Sequence, residues 1–281
     1  IPPLPSRVDL NDVTISYPKT IMSKLFSSVP KRQYAVDHVS ISFSGRSTDF
    51  VSDSGDHKSL STKQADNSAL PTILVGRSAC GKSSLLRLIS GSERPTSGSV
   101  SINGVPSSDG GIGIEQHMPA PIIIDRKPSF DDSATVLDHI ISSVPEKGSR
   151  HSDHRDPPDP ILIESMANDF AAILGLTQEQ LKSTPSSLSP SEQFLCGIVC
   201  GCVSSVHPLL PSTLTDALQH GIRYPILCLD ELFDFERPDI PRRCSEGIDR
   251  LVALGSVVVI ATHKPHHWEK LTQRRVVALS S

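Results

Sequence analysis

The sequence of 281 residues contains no apolar stretch that approaches the roughly 20 residues needed to cross a bilayer. Its longest apolar runs, such as Val257–Ala261, have the length of a buried strand. It also lacks an excess of basic residues, since 27 Lys and Arg stand against 31 Asp and Glu and the net charge is −4. We therefore do not expect nucleic acid as a partner. Because the sequence begins with Ile1 instead of Met, we expect a trimmed or mature chain.

Paired C-x-x-C spacings are absent from the six cysteines. Cys196, Cys200 and Cys202 lie close together in sequence, but we interpret them as small residues on a packed helix instead of metal ligands. His151 and His154, in the polar segment Lys147–Pro160, are likewise interpreted as part of a solvated loop and not as a metal site. Unpaired thiols favour an intracellular, reducing compartment.

A glycine-containing loop stands between a predicted strand and a predicted helix. Residues 76–84 read GRSACGKSS and match the phosphate-binding pattern G-x-x-x-x-G-K-[ST]. The apolar residues Ile73–Val75 precede it, and apolar residues at helical spacing follow it in 85–89. Glycines there allow backbone N–H groups to turn toward the β- and γ-phosphates at a helix N-terminus. The loop therefore predicts binding of a nucleoside triphosphate.

Individual residues of this loop have predicted tasks. Lys82 would place a compact charge on the phosphate oxygens, and the Ser83 hydroxyl would ligate Mg²⁺. We expect Lys82 to face an open site, so that its replacement would change folding little. Cys80 can direct its N–H toward the nucleotide and its side chain away; we favour an ordinary loop residue over an oxidation-sensitive one. The predicted nucleotide contacts of the loop are Gly76, Arg77, Ser78, Ala79, Cys80, Gly81, Lys82, Ser83 and Ser84.

The apolar run 225–230 ends in two adjacent carboxylates, Asp230 and Glu231. In a nucleotide site, a first carboxylate at a strand tip holds Mg²⁺, and a second orients and deprotonates the attacking water. Adjacent acids at a strand end also occur by chance. Their position after a phosphate loop favours the functional interpretation.

Hydrophobic patterns along the chain predict the fold class. Alternating apolar residues indicate two strands with one buried face, Val8–Tyr17 and Ala35–Phe43. Continuous apolar runs indicate buried parallel strands at 225–230, 256–262 and 275–279, with a helix at 242–254. Strands that alternate with helices predict an α/β core with crossover connections.

Together these motifs resemble the ATP-binding cassette (ABC) family of ATPases over nearly the whole sequence, particularly the nucleotide-binding subunits of small-solute and anion importers. Residues 95–104 (PTSGSVSING) resemble the segment that follows the family's phosphate loop, and 113–116 (GIEQ) its Q-loop. Residues 135–140 (TVLDHI) resemble the start of its helical subdomain, and 188–193 (LSPSEQ) occupy the place of its signature L-S-G-G-[QE].

The resemblance implies a P-loop NTPase with a RecA-like parallel-sheet core, an antiparallel β subdomain and an inserted helical subdomain, all in a single ABC-type domain. The polar segment 44–70 is predicted to be a flexible insertion, since it has too few large apolar residues to order itself. The corresponding predicted ranges are 8–43 and 96–104 for the antiparallel part, 71–95 and 222–281 for the nucleotide-binding core, and 117–205 for the helical part that carries the signature.

The resemblance also implies roles for four residues outside the loop and the carboxylates. Tyr17 would stack on adenine, unless it is simply a buried strand-end tyrosine. Gln116 would reach the Mg²⁺ and the attacking water, unless it is a plain loop amide. His263 would hydrogen-bond the γ-phosphate and hold the water with Glu231, the alternative being a surface histidine. Ser189 would contact the γ-phosphate of nucleotide on the opposite subunit, although a helix N-cap explains this serine equally well.

The signature region departs from the family pattern. Pro190 and Ser191 replace two glycines, and Pro190 also removes a backbone N–H donor. Phe194 stands where a basic residue is usual, and residues 233–237 (FDFER) do not match the expected S-A-L-D loop. We therefore expect that the parts of the site that depend on a second subunit are degenerate. Either slow hydrolysis or an asymmetric pair, in which a partner supplies a good signature, would fit.

The function implied by the resemblance is hydrolysis of ATP to ADP and phosphate, with ATP and Mg²⁺ bound. The expected partners are a second ABC ATPase subunit, identical or not, and a separate membrane permease. The expected location is peripheral, on the cytoplasmic or organellar-matrix face of a membrane. Two alternatives stay open: a soluble ABC ATPase for assembly or repair, and an ATP-dependent dimerisation module with little turnover.

Overall fold

A computed structural model describes residues 6–17, 33–44, 71–77, 80–106, 121–124, 130–144, 159–206, 224–230, 239–263 and 275–279. In chain order its elements are β1 (Arg7–Tyr17), β2 (Gln33–Ser44), β3 (Thr72–Val75), α1 (Lys82–Ile89), β4 (Ser97–Ile102), β5 (Val105–Pro106), β6 (Ile122–Ile124), α2 (Val136–Ser143), α3 (Pro160–Leu174), α4 (Gln178–Leu181), a 3₁₀ turn (Pro185–Ser187), α5 (Pro190–Val206), β7 (Ile226–Asp230), α6 (Asp239–Leu254), β8 (Val257–Thr262) and β9 (Arg275–Ala278). None of the described helices is long and apolar enough to span a membrane.

The first sheet is antiparallel, with strand order β2-β1-β4-β5. Its inward face follows the predicted alternation, since Val8, Leu10, Val13 and Ile15 are all buried. The register between β1 and β2 shifts near Asp12, whose backbone is left-handed with φ 52. Such a shift is a β-bulge, which bends the strand and increases its twist.

The second sheet is parallel, with strand order β6-β7-β8-β3-β9. The predicted combination of a parallel core sheet, an antiparallel sheet and additional helices is confirmed. Strand β6 was not predicted from the sequence, because the three residues Ile122–Ile124 are too few for a periodic signal.

The parallel sheet is covered on both faces, and its strands alternate between two hydrophobic cores. On β3, Ile73 contributes to one core and Leu74 to the other. One core lies between the sheet and helices α2, α3, α5 and α6. The other lies between the sheet, helix α1 and the antiparallel strands. Burial on both faces explains why β7 and β8 read as unbroken apolar runs.

Helix α5 is buried along most of its 17 residues, which accounts for its nearly uniform apolar composition. Cys196 and Cys202 are fully buried there, and Phe194 belongs to the same core. Burial, reinforced by the negative charge of Glu192, raises the pKa of the Cys196 thiol to about 12. Burial likewise raises the pKa of Cys202. These thiols are protonated at neutral pH, and no group of three potential metal ligands occurs among the described residues.

The predicted domain ranges remain a prediction. Of the predicted flexible insertion, only Ser44 belongs to the described residues, where it ends β2. The segment with His151 and His154 also lies outside the described ranges.

Candidate nucleotide-binding site

The candidate site lies at one edge of the parallel sheet, where three neighbouring strands end. Strands β7, β8 and β3 are adjacent, with Asp230 opposite Ala261 and Val75 opposite Thr262. Since these strands are parallel, the glycine loop after β3, Asp230 at the end of β7 and the residue following β8 share this edge. Ligands of open α/β sheets bind outside the carboxyl ends of the strands.

The two glycines of the loop are required by close backbone approaches. Gly81 has φ 92 and is the N-cap of α1. A Cβ there would overlap the carbonyl oxygen of Ala35 on β2. A Cβ at Gly76 would overlap the Cys80 sulfur and approach the Leu279 carbonyl oxygen to 2.8 Å. The antiparallel sheet and the last strand therefore hold the loop in its shape.

Lys82 lies inside the loop and is only 4% exposed. Its Nζ donates to the carbonyl oxygens of Gly76 at 2.9 Å and Arg77 at 3.0 Å. A third contact joins Nζ to Nδ1 of His263 at 3.3 Å. The expectation that Lys82 faces an open site is wrong in this respect, because a buried ammonium needs acceptors and the loop carbonyls provide them.

His263 follows β8 directly, and the sheet register places it beside the loop. A lysine ammonium can only donate, so Nδ1 of His263 is the acceptor in this contact and the ring hydrogen lies on Nε2. The residue is exposed. The contact shows that a histidine 181 positions away in sequence meets the loop lysine, a proximity that only the sheet creates.

Cys80 packs within the loop, between Arg77 and Lys82. Its N–H donates to the Arg77 carbonyl oxygen at 3.3 Å, which closes a turn within the loop. Its sulfur is buried and lies 3.7 Å from Lys82 Nζ. The side chain therefore packs on the lysine, and its predicted orientation relative to a nucleotide stays a prediction.

Two oxygen donors in the described residues match a Mg²⁺ site. Ser83 lies in the first turn of α1 and is half-buried. At the neighbouring strand end, Oδ1 of Asp230 is buried and has no hydrogen-bond partner among the described residues. A buried carboxylate oxygen normally has a partner, and Mg²⁺ prefers oxygen ligands of this kind. Ser83 and Asp230 therefore fit the predicted metal position.

Several predicted residues lie outside the described part of the chain, so their roles stay predictions. These are Ser78, Ala79, Gln116 and Glu231. The backbone of Tyr17 is described and pairs with Gln33 at the end of β1, but its side chain is not. Arg77 is exposed in the loop and Ser84 is buried in the first turn of α1, and their nucleotide contacts stay predictions.

Ser189 makes the contacts of a helix N-cap. Its backbone N–H and its hydroxyl both donate to Oε2 of Glu192, at 2.8 and 2.6 Å. The Glu192 N–H donates back to the Ser189 hydroxyl at 3.4 Å. This is the reciprocal capping box of an S-x-x-E sequence. The local alternative to the predicted intersubunit role is therefore present, and the intersubunit role stays a prediction.

The cap agrees with the local alternative that the sequence offered for Ser189, and the S-x-x-E spacing of Ser189 and Glu192 is typical of a capping box. A cavity of about 220 Å³ beside the start of α5, bordered by Glu192, Glu246 and Arg250, was not predicted from the sequence. Its lining joins residues between 174 and 195, from α3, α4 and α5, to Glu246 and Arg250 on the distant helix α6, so no local signal could have indicated it.

The fold and the loop define a class of protein. A parallel sheet with a G-x-x-x-x-G-K-[ST] loop between a core strand and the following helix is the architecture of P-loop NTPases. The model of the ABC transporter family matches residues 67–210, just over half of the chain. The chain belongs to the ABC transporter family, and the resemblance inferred from its motifs is confirmed.

Curated relatives include the methionine import ATP-binding protein MetN of Bacillus subtilis (strain 168), 29% identical over 73% of this chain and 52% of the relative. The Fe(3+) ions import ATP-binding protein FbpC of Mesorhizobium japonicum is 26% identical over 54% of this chain and 39% of its own length. The chain thus spans about half the length, or less, of these curated relatives.

Solved structures share the fold at low sequence identity. A dimeric ATP-binding cassette in a post-hydrolysis state, bound to ADP and Pi, has a TM-score of 0.59 and 16% identity, with 97% of this chain and 94% of that chain covered. A nucleotide-free cassette from an ABC transporter has a TM-score of 0.61 and 14% identity, with 98% and 87% covered.

Proposed function

We propose that this chain is the ATP-binding and ATP-hydrolysing subunit of an ABC-type transporter and energises solute movement through a separate membrane subunit. The observation that carries the proposal is the position of Lys82, enclosed by the loop carbonyls and in contact with His263 from the neighbouring strand. The names of the import ATP-binding relatives support the transport assignment.

Binding would begin at the loop. The N–H groups at the start of α1 and the Lys82 ammonium would take the β- and γ-phosphates. Incoming phosphate oxygens would replace the carbonyls of Gly76 and Arg77 as acceptors for Nζ. Ser83, Asp230 and Gln116 would hold Mg²⁺, which neutralises phosphate charge during the reaction. Tyr17 would stack on the adenine ring.

Hydrolysis would use residues at the ends of β7 and β8. A water oxygen would form a bond to the γ-phosphorus, while the bond between that phosphorus and the bridging oxygen breaks to leave ADP. Glu231 would take the proton of the water as general base. His263, with its ring hydrogen on Nε2, would donate a hydrogen bond to the γ-phosphate.

The proposed partners are a second ABC ATPase subunit and a membrane permease, and Ser189 would face the nucleotide of that second subunit. The proposed location is the cytoplasmic or organellar-matrix face of a membrane, in a reducing compartment that suits the six free thiols.

Replacement of Glu231 by Gln tests the proposed chemistry. The amide keeps the shape of the carboxylate but cannot take a proton, so phosphate release should fall by about 10²-fold or more while MgATP still binds. Glu179→Gln, a change at an exposed carboxylate on α4, is the matched control and should hydrolyse ATP normally. Unchanged phosphate release in the Glu231→Gln protein would contradict the role of general base.

Affinity capture from detergent-solubilised membranes tests the transport assignment. Recovery of a protein with several membrane-spanning segments, in amounts that change with MgATP, is the expected result. Recovery of soluble proteins alone would favour the assembly or repair alternative. A folded chain that binds ATP without measurable phosphate release would favour the dimerisation module.

A further inference from the structure

The ammonium of Lys82 is held by two separate segments of the chain. Within the loop, the carbonyl oxygens of Gly76 and Arg77 accept hydrogen bonds from Nζ at 2.9 and 3.0 Å. After β8, Nδ1 of His263 lies 3.3 Å from the same nitrogen. Parallel pairing of β3 with β8 places this histidine beside the loop. The position of the charge therefore depends on a side chain outside the loop.

These contacts match the number of hydrogens that Nζ can donate. A lysine ammonium carries three N–H donors, and the two carbonyl oxygens and the imidazole nitrogen provide three acceptors. Lys82 is only 4% exposed, so water has little access to it. The Cys80 sulfur is 3.7 Å from Nζ, but a thiol is only a weak acceptor. Nδ1 of His263 is therefore the third strong acceptor for a buried charge, whose unmade hydrogen bond would be costly.

We propose that His263 is a positioning residue for Lys82. Its Nδ1 holds the ammonium where that group meets the β-phosphate of a nucleotide, independently of any contact between the ring and the γ-phosphate. Each ring nitrogen then has its own task, since Nδ1 accepts from Lys82 and the hydrogen on Nε2 would be donated to the γ-phosphate. This inference rests on the proposed function, because it gives His263 a second task within that site.

MgADP separates the two tasks of the imidazole. ADP has no γ-phosphate, so the contact of Nε2 with that group makes no contribution to its affinity. His263→Ala should nevertheless weaken MgADP binding by roughly 2- to 10-fold, the net value of one hydrogen bond, because Lys82 loses an acceptor that holds it in place. Isothermal titration calorimetry measures this change. If the imidazole served only the γ-phosphate, MgADP affinity would be unchanged.

Two conservative variants distinguish the two ring nitrogens. In His263→Asn the amide oxygen is bonded to Cγ, as Nδ1 is, so it can still accept from Lys82. In His263→Gln the amide lies one bond further out, near the position of Nε2. MgADP affinity should therefore stay natural with Asn and fall with Gln as it does with Ala. His38→Asn makes the same change at a histidine on β2 that contacts Asp12, and it should leave the affinity unchanged.

Nitrogen NMR tests the contact without any nucleotide. In mildly alkaline solution, protein with ¹⁵N-labelled histidine should show Nδ1 of His263 as an unprotonated nitrogen that accepts a hydrogen bond, and Nε2 as a protonated one. The signals are assigned by their loss in His263→Asn. Lys82→Ala should shift the Nδ1 resonance. Lys182→Ala, which removes an exposed lysine paired with Glu164, should not.

Three results would overturn the inference. One is unchanged or stronger MgADP binding by a His263→Ala chain that melts cooperatively. Another is MgADP binding by the Gln variant that equals or exceeds that of the Asn variant. The third is an Nδ1 resonance that does not respond to Lys82→Ala. If the natural chain bound neither MgADP nor MgATP, the proposed function itself would be refuted, whereas the NMR result would still report on the contact.

Discussion

The N-termini of helices α1 and α5 are capped in opposite ways. The N-cap of α1 is Gly81, with φ 92 and no side-chain cap hydrogen bond. The N-cap of α5 is Ser189, whose hydroxyl and N–H bond to Glu192 in a capping box. Lys82 adds a positive charge at the first end, and Glu192 adds a negative charge at the second.

The difference shows that the backbone N–H groups of a first helical turn can serve two purposes. The N–H groups of a first helical turn need acceptors, and either a side chain or a ligand can provide them. At α1 the N-cap Gly81 has no side chain to accept from them, and under the proposed function they would bind phosphate. At α5 the chain satisfies donors of the first turn with its own side chains, which stabilises the helix by about 1 kcal/mol.

The largest expected effect is that of Gly81→Ala, which tests whether α1 depends on a glycine cap. Ala would have to adopt φ 92 and would place its Cβ on the Ala35 carbonyl oxygen. The free energy of unfolding should fall by about 2–5 kcal/mol, with loss of MgATP binding. Chemical denaturation and calorimetry measure the two quantities.

Gly104→Ala is the matched control for this change. Gly104 has a similar φ of 83, but a Cβ there would meet nothing within 4 Å. It should cost only about 1 kcal/mol, from backbone conformation alone. Equal losses at the two glycines would mean that contact with β2 does not shape the loop.

Lys82→Ala tests the charge at the start of α1. A hydrogen bond to a charged group contributes about 1.5–3 kcal/mol, so MgATP affinity should fall roughly 10- to 100-fold. Stability should also fall by about 1 kcal/mol, because the Gly76 and Arg77 carbonyls lose their donor. Lys182→Ala, which removes an exposed partner of Glu164, should leave affinity unchanged in the same titration.

Ser189→Ala tests the opposite end. Loss of the cap should lower the free energy of unfolding by about 1 kcal/mol, and Ser189→Gly by only a few tenths. Thr135→Ala removes the equivalent cap of α2 and should cost a similar amount. Neither change should alter MgATP affinity of the monomer. A drop in affinity on Ser189→Ala would show that the two helix ends are coupled within one chain.

The smallest expected effect is that of His38→Gln. This change tests whether a pH-dependent surface pair influences the loop. The hydrogen bond to Asp12, together with its charge, raises the pKa of His38. The stabilisation by this pair is therefore complete below the ordinary pKa of 6.5 and is lost as pH rises through the higher folded-state pKa. His38→Gln should lower Tm slightly at acidic pH and not at alkaline pH. Its MgATP affinity should equal that of the natural chain at every pH; a difference would place this surface pair in the site.

Parts of the fold were predictable because their signals are local. The unbroken apolar runs at β7 and β8 need only a few consecutive residues to be recognised. The loop at 76–84 is likewise recognised from the spacing of its glycines, lysine and serine. In contrast, β6 was too short, and the placement of Gly81 against Ala35 joins segments that no pattern connects.

The candidate site was predicted residue by residue but not as a geometry. The sequence predicted that Lys82 faces an open site, whereas the folded loop encloses it with its own carbonyls. At α5 the sequence left the role of Ser189 open between an intersubunit contact and a cap. The contacts to Glu192 establish the cap, because they depend on side-chain orientations that spacing alone does not define.

What the sequence determined by itself was the set of chemical groups: a phosphate loop, carboxylates at a strand end, and a family pattern with altered signature residues. The tertiary structure alone decided which of these groups meet. His263 reaches Lys82 because parallel pairing of β3 with β8 brings together residues 181 positions apart. Glu192 takes part in the N-terminal capping box of α5 and also accepts a hydrogen bond from Gln180 on α4. Short-range sequence patterns identify chemical groups. Contacts between residues so far apart in sequence form only when the chain folds and buries its core.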